Sequence, residues 1–338
     1  MEMRKLTLEL TEMQKQDTSK TIQDIKIFSG RAHHFLAHDI ANHIGISLGT
    51  IQIKNFSDGE IYVRVQESIR GDDVFIVQSL CEPVNRNLVE LLIMIDAFKR
   101  ASAKTITAVI PYYAYARQDR KTSGREAISA KLVADLLATA GATRVVAVDL
   151  HTGQLQGFFS TLVDHVMVEP VLVNYILNKG YNPDELVIVS PDAGGVERAR
   201  KFAKQLNCPI AIVDKRRQTH NIAQVENLIG SVDNKIAILI DDMIDTAGTI
   251  TEAANLLKRE GAKEIFVCAA HPVFSGPALE RLENSIIKEV LVTNTIPLKE
   301  NAPEKIKQLN IAPLLSEAIK RIYFDKSVTD LLENYKGE

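Results

Sequence analysis

The chain has 338 residues, of which 46% are hydrophobic and 25% charged, and a net charge of −3. That length predicts two domains, each able to bury a core of its own. The charge balance excludes an electrostatic nucleic-acid binder, and no run approaches the roughly 18–20 apolar residues that cross a bilayer. The first 20 residues carry Glu2, Glu9, Glu12 and Asp17 and have no secretory apolar region, which argues against a signal or transit peptide. A cytoplasmic protein is expected, with residues 1–22 a poorly ordered extension or, alternatively, a short surface helix. Cys81, Cys208 and Cys268 form no CxxC pair, so free thiols in a reducing compartment are expected.

Short β-branched runs alternate with amphipathic helical runs from about residue 26. The strand candidates are residues 73–79, 105–113, 144–150, 186–192, 209–215, 235–241 and 264–270. Continuous apolar strands suit a parallel sheet covered on both faces. Between them, Leu88, Leu91, Leu92 and Ile95 follow a helical stripe. So do Ile128, Leu132, Val133, Leu136 and Leu137, with Gly141 as the terminator. The alternation through both halves predicts an α/β protein of two mostly parallel sheets flanked by helices. The runs ending in DLHTGQ and DDMIDTAGT echo each other weakly, which suggests duplication of one unit. The boundary is expected near 165–170, where Pro170 starts a helix.

Ligands of open α/β sheets bind beyond the carboxyl ends of the strands. In ILIDDMIDTAGTITEAANLLKREG, an apolar strand meets Asp241 and Asp242, then a small-residue loop at 245–249, then a helix. Such a loop is an anion cradle, because helix N–H groups and the helix dipole favour negative charge. The paired carboxylates then suit ribose hydroxyls or a metal ion. The plainer alternative is a helix cap at Thr249 with strand-end aspartates in water. Arg117, Arg120, Lys121 and Arg125 cluster in YARQDRKTSGRE, where planar guanidinium groups suit phosphate or form a solvated basic loop. His151 follows a strand, Asp192, Gly194 and Gly195 mark a second strand-to-helix turn, and Lys215, Arg216 and Arg217 follow another strand. There is no GxxxxGK[ST] loop and no protein-kinase signature.

FSDGE, YARQDRK, SAKLVA, DLH-GQ-QGFF, SPDAGG, DKRR and DD-IDTAGT occur in this order across about residues 25–335. The chain thereby resembles the ribose-phosphate pyrophosphokinases, or phosphoribosyl pyrophosphate synthetases, of class I. The resemblance implies two type I phosphoribosyltransferase-like domains related by a pseudo-two-fold, at 23–167 and 168–324, with the tail 325–338 packing on the first. It implies transfer of the diphosphoryl group of MgATP to ribose 5-phosphate. Phe56, Asp58 and Glu60 would recognise adenine from a neighbouring subunit, and Arg117, Gln118 and His151 would bind ATP. His151 and Asp192 would meet Mg²⁺, and Asp192, Ala193, Gly194 and Gly195 the pyrophosphate. Lys215 and Arg217 would act in catalysis from a closing loop. Asp241, Asp242, Asp245, Thr246, Ala247, Gly248 and Thr249 would hold ribose 5-phosphate.

The resemblance further implies a homo-oligomer, a hexamer built from dimers. A regulatory phosphate or ADP site would fall at Arg70, Gln156, Asp164, Ser327 and Thr329. Ala127, Thr152, Asn310 and Thr329 depart from residues common in the family. Two rival readings share some of these features. A type I phosphoribosyltransferase shares the 235–249 motif but has no use for FSDGE, RQDRK or a second half. A non-catalytic associated subunit would show lost site residues, whereas His151, Lys215 and Arg217 are present.

Overall fold

The protein is described by a computed structural model that covers residues 20–216 and 225–335. The first half runs β1 (Lys26–Ser29), α1 (His34–Ile44), β2 (Ile51–Asn55), β3 (Ile61–Val65), β4 (Asp73–Val77), α2 (Val84–Arg100), β5 (Thr105–Ile110), α3 (Ser129–Ala140), β6 (Arg144–Val148) and β7 (Leu162–Val166). Its sheet has the order β1-β4-β5-β6-β7, parallel throughout, and β2 and β3 form a separate antiparallel hairpin.

The second half runs α4 (Glu169–Asn178), β8 (Leu186–Ser190), α5 (Val196–Leu206), β9 (Ile210–Arg216), β10 (Val225–Ile229), β11 (Ile236–Ile244), α6 (Gly248–Arg259), β12 (Glu264–Pro272), α7 (Ala278–Glu283), β13 (Glu289–Thr293), β14 (Ile306–Leu309), α8 (Ala312–Tyr323) and α9 (Thr329–Asn334). Its sheet order is β10-β9-β8-β11-β12-β13-β14, with only β10 antiparallel to its neighbour.

All seven expected strands form, because their Val, Ile and Leu residues are buried on both faces. The parallel runs β1-β4-β5-β6-β7 and β8-β11-β12-β13-β14 have the same topology, and each has an antiparallel pair inserted after its first strand. The fold is therefore a duplication. Its equivalences differ from the sequence echo, since topology pairs β11 with β4 rather than with β6. The echo compared strands that share a sheet position only loosely but end in similar acidic loops.

Alternation along the strands sorts the core into three layers. Phe75, Val77, Val146 and Val148 of the first sheet join Ile188, Ile238, Ile240 and Cys268 of the second in one shared cluster. Ile76, Ala108, Val145 and Ala147 face α2 and α3, and Val189, Leu239 and Val267 face α6. In α3 the expected stripe divides. Val133 and Leu137 are buried, while Ile128, Leu132 and Leu136 are exposed. The small Ala130 and Ala134 take the inward row instead, which lets the helix approach its neighbours closely. Gly141 ends α3 at φ 125 as expected, and Pro170 lies in the first turn of α4.

The chain returns to the first half earlier than position 325. Helix α8 already packs on α1, and the Ser316 hydroxyl donates to the Ile40 carbonyl at 3.1 Å. Lys20 donates to the Tyr323 carbonyl and pairs with Asp325, both at 2.8 Å. The expected extension at 1–22 lies mostly outside the described residues, and its described part is pinned at Lys20. The hairpin is tied to the sheet by Arg31, which bonds buried Glu90 at 2.6 Å and Asn55 at 2.7 Å.

Leu315 of α8 is fully buried in the shared cluster. Leu315→Ala is expected to lower unfolding stability by about 2–5 kcal/mol, measured by denaturant titration. Because the cluster spans both sheets, tertiary signals from both halves are expected to shift together. A shift confined to one half contradicts the shared core.

Candidate active site

The carboxyl ends of the two sheets meet. Strand β11 runs past the expected stop at Asp241 to Ile244, so both aspartates are held in the ladder beside β12. Asp242 is 4% exposed, and the Asp241 side chain is 25% exposed. The Nδ1 of His151, three residues beyond β6, lies 2.7 Å from the Asp242 carboxylate. Arg198, in the first turn of α5, puts Nη1 at 3.6 Å from Asp241 and 3.5 Å from Asp242.

These contacts split the titration of the pair. Burial pushes the Asp242 carboxyl up, but the His151 bond and the Arg198 charge outweigh it and hold Asp242 ionised, well below the usual range. Burial, reinforced by the neighbouring Asp242 charge, pushes Asp241 well up. The bond to Asp242 raises the His151 pKa. One carboxylate is thus a fixed anion that orients an imidazole, and the other is pushed towards its protonated form.

The loop 245–249 follows directly. Helix α6 starts at Gly248, one residue before the expected cap position, and Ala247 takes a left-handed conformation at φ 60. Arg117 from the loop after β5 reaches across to Asp245 at 2.5 Å. Burial pushes Asp245 up, yet its bonds to Arg117 and Ser275 hold it below the usual carboxylate range. Behind the loop, Arg281 donates to the Thr246 carbonyl at 3.0 Å, and a Cβ on Gly248 would come within 3.3 Å of that guanidinium. In the second turn, Asp192 accepts from the Gly195 N–H at 2.9 Å, and a Cβ on Gly195 would lie 2.8 Å from the Ser190 hydroxyl. The Asp192 Oδ2 has no protein partner among the described residues.

Arg117, His151, Asp241, Asp242 and Asp245 are therefore brought together from two halves. Gln118 is exposed on the Arg117 loop. The same loop is tied to the His151 turn through Asp119, which accepts from the Thr152 hydroxyl at 3.1 Å and from Gln154 at 3.4 Å. An alanine at 152 could not make the first of these bonds. Phe56, Asp58 and Glu60 sit on the exposed β2–β3 turn, with no hydrogen bond to the cleft among the described residues. Lys215 lies in β9 opposite Glu226. Its side chain, and Arg217 altogether, fall outside the described residues.

Arg70, Gln156, Asp164, Ser327 and Thr329 do not form one contact group. Asp164 pairs with Arg144, Gln156 bonds the Gly153 carbonyl at 3.0 Å, and Ser327 accepts from the Asp330 N–H at 3.2 Å. Arg144 does line a cleft with Lys104, Tyr323 and Asp325.

Two residues escaped the sequence reading. Arg198 had a signal, because a cation in the first turn of a helix opposes the dipole and calls for an anionic partner. His271, buried in β12, had none.

Two duplicated α/β halves that face each other through their strand ends, with a small-residue loop at a helix N-terminus beside paired carboxylates, define an enzyme of phosphoribosyl chemistry. Residues 25–141 match the family described as the N-terminal domain of ribose phosphate pyrophosphokinase, and residues 224–333 the phosphoribosyl synthetase-associated domain. The chain is 57% identical to ribose-phosphate pyrophosphokinase 1 of Spinacia oleracea, covering 91% of this chain and 93% of the relative. It is 56% identical to the ribose-phosphate pyrophosphokinase of Clostridium perfringens, over 92% of this chain and 98% of that one. The crystal structure of phosphoribosylpyrophosphate synthetase from Mycobacterium smegmatis superposes with a TM-score of 0.85 at 47% identity, covering 89% of this chain and 99% of that chain. This chain belongs to the ribose-phosphate pyrophosphokinase family.

Removing Arg198 leaves two crowded carboxylates without their cation. Arg198→Ala is expected to cost about 3 kcal/mol of stability. Adding Asp241→Asn is expected to restore most of the loss, read as the thermal unfolding midpoint at neutral pH. A double variant no more stable than Arg198→Ala contradicts this balance of charges.

Proposed function

We propose that the family reaction is carried out in the cleft between the two sheets, by the residues gathered around the His151–Asp242 contact. The reaction is that of a ribose-phosphate diphosphokinase. The C1 hydroxyl of ribose 5-phosphate attacks the β-phosphorus of ATP, AMP leaves, and 5-phosphoribosyl 1-pyrophosphate is formed for nucleotide biosynthesis. The observation that carries the assignment is the meeting of His151 from one half with Asp242 of the other, directly before the 245–249 loop.

In this reading Asp245, Thr246, Ala247, Gly248 and Thr249 bind the 5-phosphate at the start of α6. Asp241 and Asp242 accept hydrogen bonds from the ribose hydroxyls. Arg117 and Gln118 bind ATP, and Phe56, Asp58 and Glu60 hold the adenine of a neighbouring protomer, which suits an exposed hairpin turn. Asp192 to Gly195 cradle the pyrophosphate, and Lys215 and Arg217 close over the transferring group. Transfer of this kind depends on positioning and charge stabilisation rather than on a covalent protein intermediate.

Mg²⁺ fits the residues present. His151 has one ring nitrogen oriented by a carboxylate, and among the described residues Asp192 keeps one carboxylate oxygen unpartnered. Mg²⁺ usually takes one or two protein ligands and shares the rest with phosphates and water. His151 and Asp192 would hold it, and when bound it would neutralise phosphate charge. The same reading includes a hexamer built from dimers, phosphate or ADP regulation near Arg70, Gln156, Asp164, Ser327 and Thr329, and a cytoplasmic location. No described helix is long and apolar enough to cross a membrane. The free Cys81, Cys208 and Cys268 suit a reducing compartment.

The test is to incubate the chain with MgATP, ribose 5-phosphate and phosphate and to separate the nucleotides. AMP formed only with the sugar, in step with phosphoribosyl pyrophosphate, is the expected result, and ADP instead contradicts diphosphoryl transfer. Lys215→Ala and Arg217→Ala are each expected to cut turnover by about 100-fold or more without loss of folding. Normal turnover in both overturns their roles.

A further inference from the structure

His271 is 2% exposed and sits on β12 beside Met243 of β11. Its Nε2 lies 3.0 Å from the carbonyl of Asp149, in the other half. A carbonyl can only accept, so Nε2 carries the proton. Its Nδ1 takes the hydroxyl of Thr295 at 3.0 Å, and the Thr295 carbonyl accepts from the Ser79 hydroxyl of the first half at 2.7 Å. Ser79 and Thr295 are fully buried. This polar chain crosses the seam between the halves twice.

Asp149 is the point it grips. Asp149 adopts φ 39, a backbone conformation that a side-chain-bearing residue holds only when its surroundings impose it. Its N–H donates to the Val166 carbonyl at 3.0 Å, its carboxylate accepts from the Val168 N–H at 2.8 Å, and its carbonyl receives His271. Two residues later, His151 must reach Asp242. The adjacent strands β11 and β12 therefore hold the Asp149–His151 turn at two places, Asp242 at the imidazole and His271 at the backbone.

We infer that His271 is a positioning residue for the reaction, acting through the Asp149 carbonyl to set His151 against Asp242. The inference rests on the reading of His151 as part of the ATP site. Losing the Nε2 donor leaves a buried carbonyl unpaired and a strained turn held by one contact fewer. A shift of that turn by a fraction of an ångström moves His151, and misplacement of about 1 Å can cost on the order of 100-fold in rate.

Glutamine can place an amide N–H near the Nε2 position, whereas asparagine reaches only the Nδ1 position. His271→Asn is expected to lower kcat by about 10–100-fold while KM for ribose 5-phosphate stays within about threefold. His271→Gln is expected to recover most of that kcat. The second readout is the His151 imidazole resonance in histidine-labelled full-length protein, assigned by its loss in His151→Asn. It is expected to move in His271→Asn and to return towards its original position in His271→Gln. Equal loss in both variants, in proportion to lost thermal stability, overturns the inference in favour of a purely structural histidine. So does an unmoved His151 resonance in His271→Asn. An unmodified chain that makes no phosphoribosyl pyrophosphate instead defeats the assigned reaction, and the resonance still reports on the clamp.

Discussion

The site depends on one contact, the hydrogen bond between His151 of the first half and Asp242 of the second. Each half presents its strand ends to the other, and the first half supplies Arg117 and His151 to carboxylates of the second. The contact joins a cation-leaning imidazole to a carboxylate held ionised in a poorly solvated position, where an unpaired charge is costly. Arg117 bridging to Asp245 repeats the arrangement a short distance away. The shared apolar cluster between the sheets sets the distance at which both bridges form.

Duplication gives the two halves one frame and two sets of strand-end loops. Both halves carry the same parallel run and a hairpin inserted after its first strand, but the equivalent loops have diverged. After β11 the loop is small, glycine-bearing and open, and after β4 it is built into the seam. There Gln78 and Ser79 are fully buried, and Ser79 bonds the Thr295 carbonyl. The first half's equivalent loop thus joins the halves, and Arg117 and His151 come from its later loops. The inserted pairs diverged as well. One is an exposed hairpin whose turn carries Phe56, Asp58 and Glu60, and the other leads from Lys215 towards residues 217–224.

Much of this was legible in the sequence because it is local. Apolar runs such as IAILI and EIFVCAA mark parallel strands, and a strand followed by acids and small residues marks a ligand loop. Asp241, Asp242 and Asp245 could be named from those patterns, whereas Arg117 and His151 were singled out by the resemblance of their motifs to the family. What could not be read depends on partners far away in the chain. His271 sits in an apolar strand and looks like a core residue until Asp149, 122 positions away, appears opposite it. Arg198 needed Asp241 and Asp242 to show why a helix should begin with a cation. The α3 stripe misled because two apolar rows lie side by side on one helix, and only the packing of Ala130 and Ala134 chooses between them. The early return of α8 to α1 also has no local marker.

A double-mutant cycle on His151 and Asp242 tests the central claim most directly. His151→Asn, Asp242→Asn and the double variant would be compared in kcat/KM for ATP, with folding checked by thermal unfolding. If the two residues act as one unit across the seam, the double variant loses no more than about threefold beyond the worse single variant. If the two losses multiply, the residues act independently, and the site is not organised by the contact between the halves.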